Sequence, residues 1–239
     1  MIELGKIQKL EVVREKTFGV YLAEGSGEAV SVLLPKKQVP SGIKIGDSIT
    51  VFIYKDSEDR LIATTETPRL QVGETAVLTV KDVSRIGAFL DMGLEKDLLL
   101  PFKEQSHPVK KGEECLVALY VDKSSRLAAT MRVYHYMSNQ SPYQKDDKVR
   151  GRIYEINENL GAFVAVDNRY YGLIPKKEIF QDLREGEEVE ARVLKVREDG
   201  KLDLSLRDKA YIQMAADSEK VMKVIEEFDG VLPFNDKAR

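Results

Sequence analysis

Apolar and polar residues alternate along most of this chain in short runs, broken by glycine, proline, aspartate and serine. Val149 to Ile156 and Val189 to Val196 are rich in β-branched residues, and Asp199-Gly200 marks a tight hairpin after the second run. In Gly161-Ala-Phe-Val-Ala-Val166, a strand would place Ala162, Val164 and Val166 on one face and Phe163 and Ala165 on the other. A period of two over such short runs predicts strands.

The pattern recurs three times. Phe18-Gly-Val-Tyr-Leu22, Leu33-Leu-Pro-Lys-Lys37, Ile45-Gly-Asp47 and Lys55-Asp-Ser-Glu-Asp-Arg-Leu61 make up the first set. Ile86-Gly-Ala-Phe-Leu90, Leu99-Leu-Pro101, Lys111-Gly-Glu113 and Val121-Asp-Lys-Ser-Ser-Arg-Leu127 make up the second. Leu160-Gly-Ala-Phe-Val164, Leu173-Ile-Pro-Lys-Lys177, Glu185-Gly-Glu187 and Val196-Arg-Glu-Asp-Gly-Lys-Leu202 make up the third. Four elements in one order at nearly one spacing predict three copies of a small unit. Short strands joined by turns predict a mainly β fold, each unit a five-stranded barrel whose closure removes exposed edges.

The same alternation turns Phe89 to the face of Asp91 and away from Ala88, Leu90 and Met92, so it faces out of its barrel, with Tyr21 and Phe163 in the matching places. Each stands next but one to a glycine that lets another chain approach closely. An outward aromatic on a small barrel suits base stacking; packing against a neighbouring repeat is the alternative use.

Composition then narrows the function. Of 239 residues 43% are hydrophobic and 32% charged, which suits several small domains better than one large core. A net charge of −3 excludes a strongly positive field, so any binding of nucleic acid must rest on local basic groups and stacking. Cys115 is the only cysteine, which leaves no intramolecular disulfide and no thiolate cluster for a metal. His107 and His135 lie in different segments, and no nucleophile elbow, phosphate loop or metal-ligand spacing is present. These features predict no enzyme, cofactor or metal. The N-terminal residues resemble no secretory signal and no run is long enough to span a membrane, which predicts a cytoplasmic protein.

The Gly-Ala-Phe-Val/Leu strand, the apolar pair before a turn, the Gly-Asp/Glu step and the closing hairpin resemble the S1 domain, an RNA-binding OB fold. The order of the repeats, with a helical tail, also resembles the bacterial conserved virulence factor B family. The resemblance implies S1-like repeats at 1–67, 68–132 and 147–207, a linker at 133–146 and a tail at 208–239. It further implies single-stranded RNA as partner and a role in post-transcriptional control of virulence-factor expression.

Carried over by position, the first S1 aromatic is Phe18 but Ile86 and Leu160 in the later repeats; the second is Tyr21, Phe89 and Phe163. Strict alternation would turn Phe18 inward, so its exposure requires a bulge near Gly19. The family's histidine is replaced by Pro35, Pro101 and Pro175. Its aspartate and arginine are Asp56 and Arg60, then Asp122 and Arg126; the third repeat departs, with Arg197 and Lys201, which with Lys176 and Lys177 form a candidate phosphate-contacting set. Lys36, Lys37, Lys176 and Lys177 follow turn prolines, as phosphate contacts or as solvated loop residues. The rival to RNA is a scaffold for other proteins, with barrels kept as spacers. Tyr134 and Tyr136 of the linker would stack on bases or pack on a barrel.

Beyond Arg207 the period changes. Asp217 or Ser218 can cap a helix carrying Val221, Met222, Ile225 and Phe228, with Gly230 just past its end. The resemblance implies that this is the start of a winged helix that continues past Arg239.

Overall fold

A computed structural model describes residues 1–25 and 30–207, together with 218, 222 and 223. Ser218, Met222 and Lys223 are helical. The other residues of the expected tail helix, Asp217, Val221, Ile225, Phe228 and Gly230, lie outside the described residues, as does any winged helix.

The chain forms three five-stranded units. The first is a closed barrel of β1 (Ile7–Lys16), β2 (Gly19–Ala23), β3 (Val32–Pro35), β4 (Ser48–Lys55) and β5 (Leu61–Thr64), shut by the parallel pair β3 and β5. The second comprises β6 (Thr75–Val83), β7 (Gly87–Leu90), β8 (Leu98–Pro101), β9 (Glu114–Val121) and β10 (Leu127–Thr130); β8 lies beside β10. The third, β11 (Lys148–Asn157), β12 (Gly161–Val166), β13 (Tyr170–Pro175), β14 (Glu188–Val196) and β15 (Leu202–Ser205), closes again through β13 and β15. A short 3-10 turn follows the third strand of each: Lys36–Gln38, Phe102–Glu104 and Lys176–Glu178.

Two local devices repeat. The first strand of each barrel carries a bulge against the second, between Val12 and Arg14, Val80 and Asp82, and Ile153 and Glu155. A bulge bends and twists its strand, which helps so short a sheet to close. The second device is glycine at the start of the second strand: Gly19, Gly87 and Gly161, with φ of +155°, +150° and +124°. A Cβ at these positions would collide with the carbonyl oxygen of Leu34, Leu100 or Ile174 on the next strand. The chain that approaches these glycines is therefore the barrel's own third strand.

The barrels are joined by strands buried on both faces. Along β4, Ile49, Val51 and Ile53 point into barrel one, while Phe52 and Tyr54 point out and pack with Leu70, Val72 and Leu127 in the core cluster of barrel two. Along β9, Cys115, Val117 and Leu119 fill barrel two, while Leu116 and Ala118 point out to meet Val133, Met137, Tyr154 and Ala165. Ala165 and Phe163 thus leave barrel three on its outward face, as alternation requires, and that face is covered by the neighbouring barrel and by the 3-10 turn Val133–Tyr136. Tyr154 is the bulged residue of β11, and the bulge aims it into this seam.

Polar contacts rim both seams. The Arg126 guanidinium forks onto Asp59, and the Lys96 ammonium donates to the carbonyls of Lys55 and Asp56, each at 3.0 Å. Between barrels two and three, Arg152 donates to Gly186 O and Glu188 and stands 3.7 Å from Glu114. Among the described residues no helix is long and apolar enough to cross a membrane.

This packing sets two expected outcomes. Gly87→Ala should lower stability by about 2–4 kcal/mol, through backbone overlap and strained φ, read as a fall in melting temperature. Phe52 is 1% exposed, so Phe52→Ala should cost about 3–5 kcal/mol. Hydrogen exchange should then quicken in barrels one and two together; quickening in barrel one alone would show that the seam does not couple them.

Candidate nucleic-acid interface

On barrel one the tight turn Thr17-Phe18 joins β1 to β2, with Lys16 opposite Gly19. Phe18 therefore sits in the turn, outside the alternation of either strand, and is 54% exposed. No bulge at Gly19 is involved; the nearest is at Val13 on the partner strand. Tyr21, half-buried on β2, meets Phe18 edge-on at 6.3 Å. Arg14 lies directly across the ladder from Tyr21, its guanidinium 4.2 Å from the ring centre.

Basic groups collect around this pair. The Lys36 N–H donates to Phe18 O at 2.9 Å, which fixes that lysine beside the turn. Arg60, on the β4–β5 hairpin, is paired with Asp56 and Glu58, and these carboxylates raise its pKa. Barrel one thus brings together Phe18, Tyr21 and Lys36 and adds Arg14, while Arg60 is held on its hairpin by Asp56 and Glu58.

The hairpin aspartates have structural work. The Asp56 carboxylate accepts the N–H groups of Glu58 and Arg60 and the Nε and Nη2 of Arg60. Desolvation pushes this carboxyl up, but those hydrogen bonds win and hold it below the usual range. Asp122 accepts from Ser124 and Arg126 N–H in the same way. In barrel three Asp199 takes over the turn by accepting from Lys201 N–H, while Arg197 binds Asp203. Lys37 is paired with Glu95 of barrel two.

Barrels two and three build a different surface around their aromatics. Phe89 is half-buried and lines a cleft of about 240 Å³ at the first seam, with Tyr54, Ile86, Lys96 and Asp97. Across the ladder from Phe89 stands Asp82, and across from Phe163 stands Glu155. Phe163 also packs against the second seam, its ring 6.1 Å from that of Tyr154. Lys201 sits over the rings of Tyr171 and Tyr134, at 5.1 and 5.8 Å, so the linker tyrosine packs on barrel three. Lys176 and Lys177 are exposed on their turn, and Lys176 N–H donates to Leu160 O.

Sequence reasoning passed over Arg14, Asp82 and Glu155, the residues that set the charge beside each aromatic. Counting back from the hairpin turn would have found Arg14, since Lys16 opposite Gly19 puts Arg14 opposite Tyr21. Among the described residues no group of three or more His, Cys, Asp or Glu could hold a metal ion. Burial pushes the Cys115 thiol up to about 12, far from a reactive thiolate.

Comparison with known proteins agrees with this architecture. The model of the S1 domain matches residues 4–66 and 72–132, and the model described as virulence regulatory factor CvfB, second domain, matches residues 134–208. The uncharacterized protein YitL of Bacillus subtilis is 29% identical over 245 residues, covering 98% of this chain and 80% of that protein. Conserved virulence factor B of Staphylococcus saprophyticus is 25% identical, covering 98% and 81%. A crystal structure of a multidomain protein with nucleic acid binding domains from Streptococcus pneumoniae TIGR4 shares the fold, with TM-score 0.53 and 21% identity, covering 99% of this chain and 85% of that one.

Proposed function

The chain belongs to the S1-domain family, and from that premise we propose that it binds single-stranded RNA without catalysis, mainly through barrel one. The observation that carries this reading is the cluster of Arg14, Tyr21 and Phe18, with Lys36 beside it. An exposed ring offers a face to a base, and a cation next to that ring offers a partner to the adjoining phosphate. At their matching aromatics, barrels two and three oppose the same strand. Asp82 and Glu155 put a carboxylate where barrel one has a guanidinium, and a phosphate brought to Phe89 or Phe163 would meet it.

A second role for the later barrels has its own support. Phe163 and Ala165 are used in the seam with barrel two, as a docking module would use them. We therefore read the aromatic faces of barrels two and three as serving the packing of barrel on barrel, with protein contacts secondary to RNA. A part in post-transcriptional control, including control of virulence factors, is the setting that this binding and the named relatives suggest.

Fluorescence anisotropy of a labelled single strand of roughly 20 nucleotides tests the reading. Removing each ring should cost about 1–3 kcal/mol, so Phe18→Ala with Tyr21→Ala should weaken binding at least tenfold. Phe89→Ala with Phe163→Ala should weaken it much less; equal losses from the two pairs would refute the assignment to barrel one. Two cations beside the site, Arg14 and Lys36, imply a slope of log K against log salt of about −1.4, and Arg14→Gln should reduce its magnitude by about 0.7. A slope near zero would mean that phosphate is not contacted.

A further inference from the structure

Barrel three differs from the other two on the wall that elsewhere docks the next barrel. Pairing with the first strand equates Phe52 of β4, Ala118 of β9 and Arg192 of β14. The first two are covered apolar positions, and the third is a guanidinium. Lys148, Arg192 and Ser205 form one row across β11, β14 and β15, and Arg150 and Glu190 form the next. Residues directly opposite in a sheet share a face, so these side chains project together. With Arg207 they line a cleft of about 430 Å³ that holds four cations and one carboxylate.

Arg192 is the built part of this cleft. It is 8% exposed; its Nη1 donates to Asp146 Oδ1 at 2.7 Å, and its Nε has no hydrogen-bond partner among the described residues. A buried guanidinium is held at a cost unless its donors are used. The Arg150–Glu190 pair is largely exposed, so it rearranges at little expense. Ser205 Oγ donates to Glu178 at 2.7 Å. At the edge, the Arg207 guanidinium stacks 3.3 Å from the centre of the Phe180 ring, which is 56% exposed.

We propose that this cleft binds a phosphate-type oxyanion. Guanidinium forks match phosphate oxygens two at a time, and Arg192 and Arg150 lie on adjacent strands where one anion can meet both. The anion is a phosphodiester of RNA or free phosphate, and the exposed ring of Phe180 favours the first by offering a surface to a base. The cleft lies on the β11, β14 and β15 wall, away from the aromatic patch of barrel one, so the two sites stand or fall separately.

The test is titration of inorganic phosphate into the isotopically labelled full chain, following the amide signals of Lys148, Arg150, Arg192 and Arg207. Saturable shifts at these amides are expected, with affinity reduced roughly tenfold or more in Lys148→Gln with Arg150→Gln, two exposed positions that leave the core alone. A short oligouridylate added to the phosphate-loaded protein separates the sources. Displacement of phosphate assigns the site to RNA, and failure to displace it assigns the site to free phosphate; either supports an oxyanion site. Shifts that are absent from the cleft, or unchanged in the double variant, overturn the proposal. Binding of RNA by barrel one, measured on the same samples, is independent of all these results.

Discussion

The structure depends on strands that are buried on both faces. In β4 and β9, odd and even positions serve different cores, so one strand closes its own barrel and anchors the next. A slip of one residue would send Ile49, Val51 and Ile53 into the seam and Phe52 and Tyr54 into the barrel. Phe52 does not fit where Val51 fits, so register and docking are fixed together. The exposed ion pair at the first rim, Arg126 with Asp59, adds orientation but little stability. The apolar seams do most of the holding.

That arrangement decides where a ligand can sit. The outward faces of β4 and β9 are occupied, which leaves the outward wall of β14 in barrel three and, in every barrel, the hairpin of the first two strands and the turn after the third. Gly19, Gly87 and Gly161 admit the third strand so closely that the hairpin tips lie beside the 3-10 turns, as Lys36 N–H to Phe18 O and Lys176 N–H to Leu160 O show. All three barrels therefore place a hairpin-tip residue next to a turn residue. The outcome depends on what those positions hold: Phe18 and Lys36 in barrel one, Ile86 and Phe102 in barrel two, Leu160 and Lys176 in barrel three. Only the first joins an aromatic tip to a cation.

The fold was legible because strand alternation and turn chemistry are local. Gly161-Ala-Phe-Val-Ala-Val166 reads as a strand with Ala162, Val164 and Val166 inward, and those three are buried in the barrel core. What covers the other face was not legible. Phe163 and Ala165 are outward by the same rule, yet whether outward means solvent or a neighbouring barrel depends on contacts distant in sequence. Phe18 shows a second limit: alternation holds within a strand and lapses in a turn, and nothing in Thr17-Phe18 resembles the usual glycine or asparagine of a tight hairpin. The hairpin aspartates show a third. Asp56 and Asp122 match positions that contact RNA in the S1 pattern, but here their oxygens accept backbone N–H groups, a use that any aspartate in a turn can take up.

A chain of net charge −3 can still favour a polyanion at one place, because screening makes charge a local quantity. At physiological salt the Debye length is about 8 Å, so carboxylates on a distant barrel contribute little at the Tyr21 ring. A cation 4 Å from a phosphate contributes roughly 1 kcal/mol in bulk water and about 4 kcal/mol at an effective dielectric of 20. Arg14 stands 4.2 Å from the centre of the Tyr21 ring, whereas the cross-strand neighbours of Phe89 and Phe163, Asp82 and Glu155, carry the opposite charge. The three barrels share one backbone and one aromatic position, and the charge across the ladder from that aromatic differs in sign, positive at Arg14 and negative at Asp82 and Glu155.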